Sequence, residues 1–293
     1  MLAERVLWAI ERNLDRPLTL AELADACGVS RFHLAHAFGQ ATGFSVMQYV
    51  RARRLTEAAE SLAAGDAPDI LSLSLDAGYG SHEAFSRAFR TQFGTTPETV
   101  RKTGNVEKLA MVRAVKLSEN SKNALRPPRF VSGDPMLVVG LVERHSFGAT
   151  QGIPAQWQRF MKHYTDIPDK VQPIPLGISA NMDDDGNFEY MAAVQVSKVS
   201  DLPKELRQWR IPARQYAVFR HDAHVSTTGQ TYSAIWNEWL PANGRRAANG
   251  PTIERHLETF DTRTGLGGVE IWIALEDAQA ASSKWRVSLI RRT

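Results

Sequence analysis

The sequence predicts an α+β multidomain protein: an all-α tandem helix-turn-helix domain, followed by an α+β domain of two βαββ repeats. Three observations predict it. A pattern of capped helix, glycine turn and second helix occurs at 20–43 and returns at 70–94. Past residue 130 the apolar period changes from helical to alternating. The order strand, helix, strand, strand then occurs twice before residue 276. The chain accordingly divides into a tandem helical domain at 1–107, a basic linker at 108–129, an α+β domain at 130–276 and an extension at 277–293.

Apolar residues make up 43% and charged residues 23% of the 293 positions, enough for packed cores and too apolar for wholesale disorder. Mean hydropathy is −0.30, and the apolar runs are too short to cross a bilayer. The opening MLAERVLWAIERNL interleaves charge with bulk and lacks the apolar stretch of a signal peptide. A cytoplasmic protein without a membrane partner is expected. Cys27 is the one cysteine, so an internal disulfide and a cysteine metal cluster are excluded. The net charge of +3 is small. Locally, though, 31–54 carries Arg31, Arg51, Arg53 and Arg54 with no carboxylate, and 108–129 is strongly basic. A nucleic-acid function must therefore rest on local patches.

In the first helical unit Leu20–Cys27 reads as a helix, with Thr19 as its N-cap and Glu22 as the reciprocal partner. Gly28 ends it, Ser30 caps the helix Arg31–Thr42, and Gly43 stops that one. Ser45–Ala64 is a long helical pattern joining the units. In the second unit Ile70–Ala77 leads into Gly78, and Ser81 caps His82–Phe93 ahead of Gly94. Apolar spacing buries Leu34, Ala37, Phe38 and Ala41 in one second helix, and Phe85, Ala88, Phe89 and Phe93 in the other. Facing outward are Arg31, Phe32, Ala35, His36 and Gln40 on the first, and His82, Glu83, Ser86, Arg87 and Arg90 on the second. Such faces suit the major groove of double-stranded DNA. Arginine pairs with guanine, glutamate accepts from cytosine, and an aromatic ring meets a thymine methyl. Arg87 is expected to read a base, and Arg31, Arg53 and Arg90 to contact phosphate.

LAELADACGVSRFHLAHAFGQATGFSVMQYVRARRLTEAAESL and DAGYGSHEAFSRAFRTQFGTTPETVR resemble the DNA-binding domain of the AraC family of transcription regulators. Ser74 stands where that family usually has alanine, and Val100 where an aromatic is frequent. The resemblance implies seven helices and two recognition helices in successive major grooves. RNA polymerase is a further candidate partner. Two reading heads in one chain remove the need for a dimer without forbidding one.

Residues 103–129 lack a clear period, and Arg126-Pro127-Pro128-Arg129 resists helix. One short helix is expected near 107–117 within a solubilising linker.

Beyond it, Met136–His145 reads as a strand, Pro154–Tyr164 as a helix, and 173–182 and 188–196 as strands around the turn 183–187. Arg214–Asp222, Thr228–Leu240, Thr252–Phe260 and Val269–Glu276 repeat the order. Two such units in one sheet leave an aromatic groove at their interface, a usual place for a small molecule. Along the last strand Val269, Ile271, Ile273 and Leu275 share the face expected to meet the helices. Glu270, Trp272 and Ala274 share the other, where a carboxylate beside an indole suits a cationic aromatic effector. His221 and His224 lack further ligands at metal spacing, so no metal is expected, and no cofactor motif occurs.

YAVFRHDAHVSTTGQTYSAIWNEWLPANG, PTIERHLETFD and VEIWIALE resemble the GyrI-like effector-binding domain. His256 stands where that family often has tyrosine, and Ala274 where it has proline. The resemblance implies a buried glutamate that binds a cation, with Glu270 the first match and Glu254 the second. It also brings a rival reading, since some GyrI-like domains resemble hydrolases of reactive natural products. Glu270, Trp272 and Tyr190 would then be the working residues. The attached helical domain favours a sensor over an enzyme.

Overall fold

The computed structural model describes residues 1–67, 69–117, 125–199 and 202–276. The extension 277–293 lies outside the described residues. Two compact units divide the chain, Met1–Ser118 and Glu119–Thr293.

The first unit is helical: α1 (Leu2–Glu11), α2 (Leu20–Cys27), α3 (Arg31–Thr42), α4 (Val46–Ala64), α5 (Ile70–Asp76), α6 (His82–Phe93) and α7 (Pro97–Thr103). Side-chain caps start α2 to α7. Thr19, Ser30, Ser45, Asp69, Ser81 and Thr96 each accept from a backbone N–H in the first turn of the helix that follows. Both second helices end at a left-handed glycine, Gly43 at φ +75° and Gly94 at φ +68°. Phe85, Phe89 and Phe93 from α6 join Leu55, Ala58, Ala59 and Leu62 from α4 in one core.

Residues 105–115 form no helix, contrary to expectation. They run as a strap over the first unit instead. Val106, Leu109 and Met111 join its core. The Val112 N–H donates to Thr56 Oγ1 (3.0 Å), and the Val115 N–H donates to the Tyr49 hydroxyl (3.2 Å). Arg129 also leaves the expected linker, because it opens a strand.

The second unit is one eight-stranded sheet in the order β1-β6-β8-β7-β3-β4-β2-β5. Its strands are β1 (Arg129–Gly133), β2 (Met136–Ser146), β3 (Leu176–Ala180), β4 (Asn187–Val196), β5 (Leu206–Ile211), β6 (Arg214–His221), β7 (Thr252–His256) and β8 (Val269–Ala274). Helix α8 (Ile153–Tyr164) follows β2. Helix α9 (Thr228–Ala234) follows β6 and continues through a π turn, Ile235–Trp239, to Ala242.

The two βαββ repeats are present, and each is preceded by a further strand that the sequence reading left out. These leading strands cross over. β1 pairs with β6 of the second repeat, and β5 pairs with β2 of the first. The repeats meet where β3 runs antiparallel to β7, with Gly177 opposite Glu254. Alternation then sorts the faces. Gly177, Tyr190, Glu254, His256 and Ile271 look toward the helices. Leu176, Ile178, Tyr216, Ile253 and Trp272 build a separate core on the other side.

Matching histidines tie each helix to its strand. The His145 Nε2–H donates to Gln156 Oε1 (2.8 Å), and Gln156 Nε2 donates to the carbonyls of Leu141 (2.8 Å) and Tyr190 (2.7 Å). In the second repeat His221 Nδ1 lies 2.8 Å from Thr231 Oγ1. Gln156 and Thr231 hold the fourth position of their helices, so the residues after them, Trp157 and Tyr232, occupy equivalent places.

Candidate functional site

In the helical unit the second face of the tandem pair stands open. Glu83, Arg87 and Arg90 on α6 are exposed, and His82 and Ser86 are half-buried. His82 Nε2 lies 3.3 Å from Glu98 Oε1, so α7 helps to orient it. On α3 Arg31 is exposed, while Phe32, His36 and Gln40 are half-buried. The Phe32 and His36 rings meet edge to face at 4.5 Å. Burial, with His33 nearby, pulls the His36 pKa down to about 3, so its ring is neutral and packs rather than offers charge.

Two residues expected outward are not. Ala35 is buried, because α3 turns a wider stripe inward than its leucine and phenylalanine mark, and Ala41 is correspondingly only half-buried. Arg53 is 9% exposed. Its Nη2 lies 2.9 Å from Glu11 Oε2 and 3.3 Å from Glu57 Oε1, and its Nη1 donates to the Val112 carbonyl (3.2 Å). Tyr49 donates to the same Glu11 carboxylate (2.6 Å). The guanidinium thus joins α1, α4 and the strap, and its expected phosphate contact is corrected to this internal one.

In the α+β unit the candidate site is the seam of the repeats on the helical face. Glu254 sits there on β7. The Tyr232 hydroxyl, from α9, donates to its Oε1 (3.0 Å), and the Tyr190 hydroxyl, from β4, to its Oε2 (3.1 Å). From α8 the Trp157 indole N–H donates to the Tyr190 oxygen (3.1 Å). His256, two residues along β7, stacks on Phe260 at 4.1 Å and meets the Trp157 ring at 5.2 Å. Glu254 is half-buried as a residue, yet the crowding around its carboxylate raises its pKa, with the tyrosine hydroxyls and His221 pulling the other way. Burial and the adjacent carboxylate push both tyrosine pKa values well up, so they remain donors. Burial brings the His256 pKa down to about 4. The seam is therefore an aromatic enclosure with one acidic group at its centre, held by two neutral tyrosine hydroxyls.

Glu254 and Tyr190 are brought together as expected residues of one site. Glu270 and Trp272 also meet, with the indole N–H donating to Glu270 Oε2 at 3.1 Å, but on the opposite face of the sheet. Trp272 is not exposed there, at 8%. The Arg129 Nη2 lies 2.9 and 2.8 Å from the two Glu270 oxygens. Its guanidinium stands 5.3 Å from the Trp272 ring centre, with Arg255 at 5.0 Å. The cation expected on this pair is the chain's own arginine. That corrects the ranking: Glu254, not Glu270, is the carboxylate in the groove.

The expected site residues did not include Tyr232, Trp157 or Gly177, and His256 entered only as a departure from the family's tyrosine. The repeat carried a usable signal for the first two, because they share one position in equivalent helices.

A fold of this kind, with a tandem helix-turn-helix region ahead of a duplicated sheet domain, defines the class of DNA-binding transcription regulators equipped with a small-molecule-binding domain. The family model for the GyrI-like small molecule binding domain matches residues 126–276, and that for a helix-turn-helix domain matches 23–103. The chain belongs to the GyrI-like family and carries an AraC-type helix-turn-helix domain in front. It is 24% identical to the transcriptional regulator Rob of Salmonella typhimurium over 277 residues, 90% of this chain and 93% of Rob. It is 37% identical to the multiple antibiotic resistance protein MarA of Escherichia coli over 94 residues, 32% of this chain and 73% of MarA. A solved structure of SAV2435 bound to tetraphenylphosphonium superposes with a TM-score of 0.44 at 20% identity, covering 53% of this chain and 97% of that one. Among the described residues no helix is long and apolar enough to cross a membrane, and no group of three or more metal-ligating side chains occurs.

Proposed function

We propose that the chain regulates transcription by sequence-specific DNA binding and senses a cationic aromatic molecule at Glu254. One observation carries the effector class: a carboxylate enclosed by Tyr190, Tyr232 and Trp157, with its pKa raised by burial. A buried carboxylate is stabilised by an opposite charge, and flat apolar cations gain further from aromatic walls. Binding of such a cation exchanges two tyrosine hydrogen bonds for an ion pair. Glu254, Tyr190 and Tyr232 are the effector residues in this reading, and Trp157 and His256 are walls. Glu270 and Trp272 are not contact residues.

On the DNA side, Arg87 is the base-reading residue, with Glu83, Ser86 and His82 beside it. Arg31 and Arg90 contact phosphate, with Phe32, His36 and Gln40 on the first recognition helix. Their exposed or half-exposed placement supports this. RNA polymerase is the expected further partner at a promoter. Binding to a cognate duplex tests the reading. Arg87→Ala should lose about 1–3 kcal/mol there and much less on random duplex. Equal losses on both duplexes would remove Arg87 from base recognition.

The hydrolase reading also finds a glutamate, a tyrosine and a tryptophan in contact at this seam. The fused helix-turn-helix domain supports sensing, and turnover of a reactive electrophile by the full chain would favour catalysis instead.

A further inference from the structure

The Arg126-Pro127-Pro128-Arg129 stretch has a place in the fold that DNA and effector binding do not use. It leads into β1, the first strand after the segment joining the two units, and among the described residues β1 is an edge strand whose ladder partner is β6. Both arginines are clipped to the sheet. Arg126 Nη1 lies 3.0 Å from Asp222 Oδ2, and Arg129 reaches Glu270 at 2.8 Å. Prolines between them keep the segment extended and bring no N–H needing a partner.

On the other face of β1, Phe130 meets the Trp239 ring at 6.3 Å, with the Arg245 guanidinium 5.1 Å from the Phe130 centre. Phe130 is 54% exposed, so this contact is shallow. Trp239 closes the π turn Ile235–Trp239 and leans on Phe219 at 4.9 Å. The same helix carries Tyr232, which donates to Glu254. A π turn within a helix is a local register irregularity and often marks a functional position. One helix therefore has its upstream part bonded to the effector carboxylate and its downstream end pressed on the strand that leads to the DNA-binding unit.

We propose that β1 is a releasable strand whose docking is coupled to occupancy of the groove through Tyr232, Trp239 and Phe130. The inference rests on Glu254 being the effector carboxylate. A cation at Glu254 takes the place of the Tyr232 hydroxyl, the helix adjusts at its π turn, and Trp239 withdraws from Phe130. The strand then keeps its β6 ladder and the arginine clips but loses its hold on the helix. Reciprocity follows: a chain whose β1 is loosened binds the effector more tightly. Phe130 is a positioning residue here, acting through Trp239, whereas Arg129 holds the strand through Glu270.

Trypsin reads the strand directly in the full chain. It does not cut Arg126–Pro127, and it cuts Arg129–Phe130 only when β1 leaves the sheet. Saturating rhodamine 6G should raise the rate at which a fragment beginning at Phe130 appears, by roughly fivefold or more. Without ligand, Tyr232→Phe should raise it likewise, and more than Tyr190→Phe, which takes the other hydroxyl from the same carboxylate without altering the helix. Phe130→Ala should bind rhodamine 6G severalfold more tightly than wild type. Unchanged or slower cleavage with bound dye overturns the coupling, as does Tyr232→Phe being cut no faster than wild type or than Tyr190→Phe. If the dye does not bind wild type at all, the effector reading fails, and the ligand-free Tyr232→Phe comparison still decides the coupling.

Discussion

Gly177 lies directly opposite Glu254 across the β3–β7 pair, and a methyl group at Gly177 would stand 2.2 Å from the Tyr190 hydroxyl and 3.0 Å from Glu254 Oε2. No positive φ is involved. The glycine is there for space, so that a tyrosine from β4 can cross above β3 to reach a carboxylate on β7.

Gly177→Ala should therefore displace Tyr190 and break its bond to Glu254. Overpacking of this kind costs about 1–3 kcal/mol, to be read by urea unfolding. Wild-type stability in the variant would mean that the hydroxyl and carboxylate do not need this clearance.

Burial raises the Glu254 pKa above its ordinary 4.5, so the folded protein holds that proton more tightly than the unfolded chain. Its contribution is thus fully present below pH 4.5 and is lost as pH rises through the raised value. Glu254→Gln, which carries no charge, should melt higher than wild type at neutral pH, with the difference vanishing in acid. A glutamine variant melting lower than wild type at pH 7 and equal at pH 4 would reverse the sign. A site that destabilises its own fold is a common mark of binding function.

Arg53 provides a contrast on the DNA side. Arg53→Met should destabilise the helical unit by about 1–3 kcal/mol, less than a fully buried pair because Glu11 is 26% exposed. The dependence of DNA affinity on salt should keep its slope, since an internal arginine releases no counterion. A slope reduced by about one would restore Arg53 as a phosphate contact.

Helix boundaries were legible in the sequence because caps and stops are local signals. Ser30 to Gly43 and Ser81 to Gly94 delimit α3 and α6 as their residue types imply. Edge strands were not legible. β1 finds its partner β6 far along the chain, and β5 alternates poorly, with Arg207 and Gln208 both exposed. The site was half legible for the same reason. The face assignment of Val269, Ile271 and Ile273 was sound, and Glu270 does touch Trp272. The occupant of that pair, Arg129, is 141 residues away and leaves no trace in local spacing. Glu254 looked ordinary on its own strand; its importance comes from Tyr190 and Tyr232, which only the meeting of the repeats brings to it.

Recognition of a cationic aromatic effector falls to the Glu254 carboxylate in the proposed function. Calorimetric titration of rhodamine 6G into the full-length wild type, Glu254→Gln and Glu270→Gln tests this most directly. Removing one member of a desolvated charge pair costs about 3–5 kcal/mol, so Glu254→Gln should lose affinity on the order of 100-fold or more. Glu270→Gln should bind at least as well as wild type. Wild-type affinity in Glu254→Gln, or a loss confined to Glu270→Gln, would contradict the account.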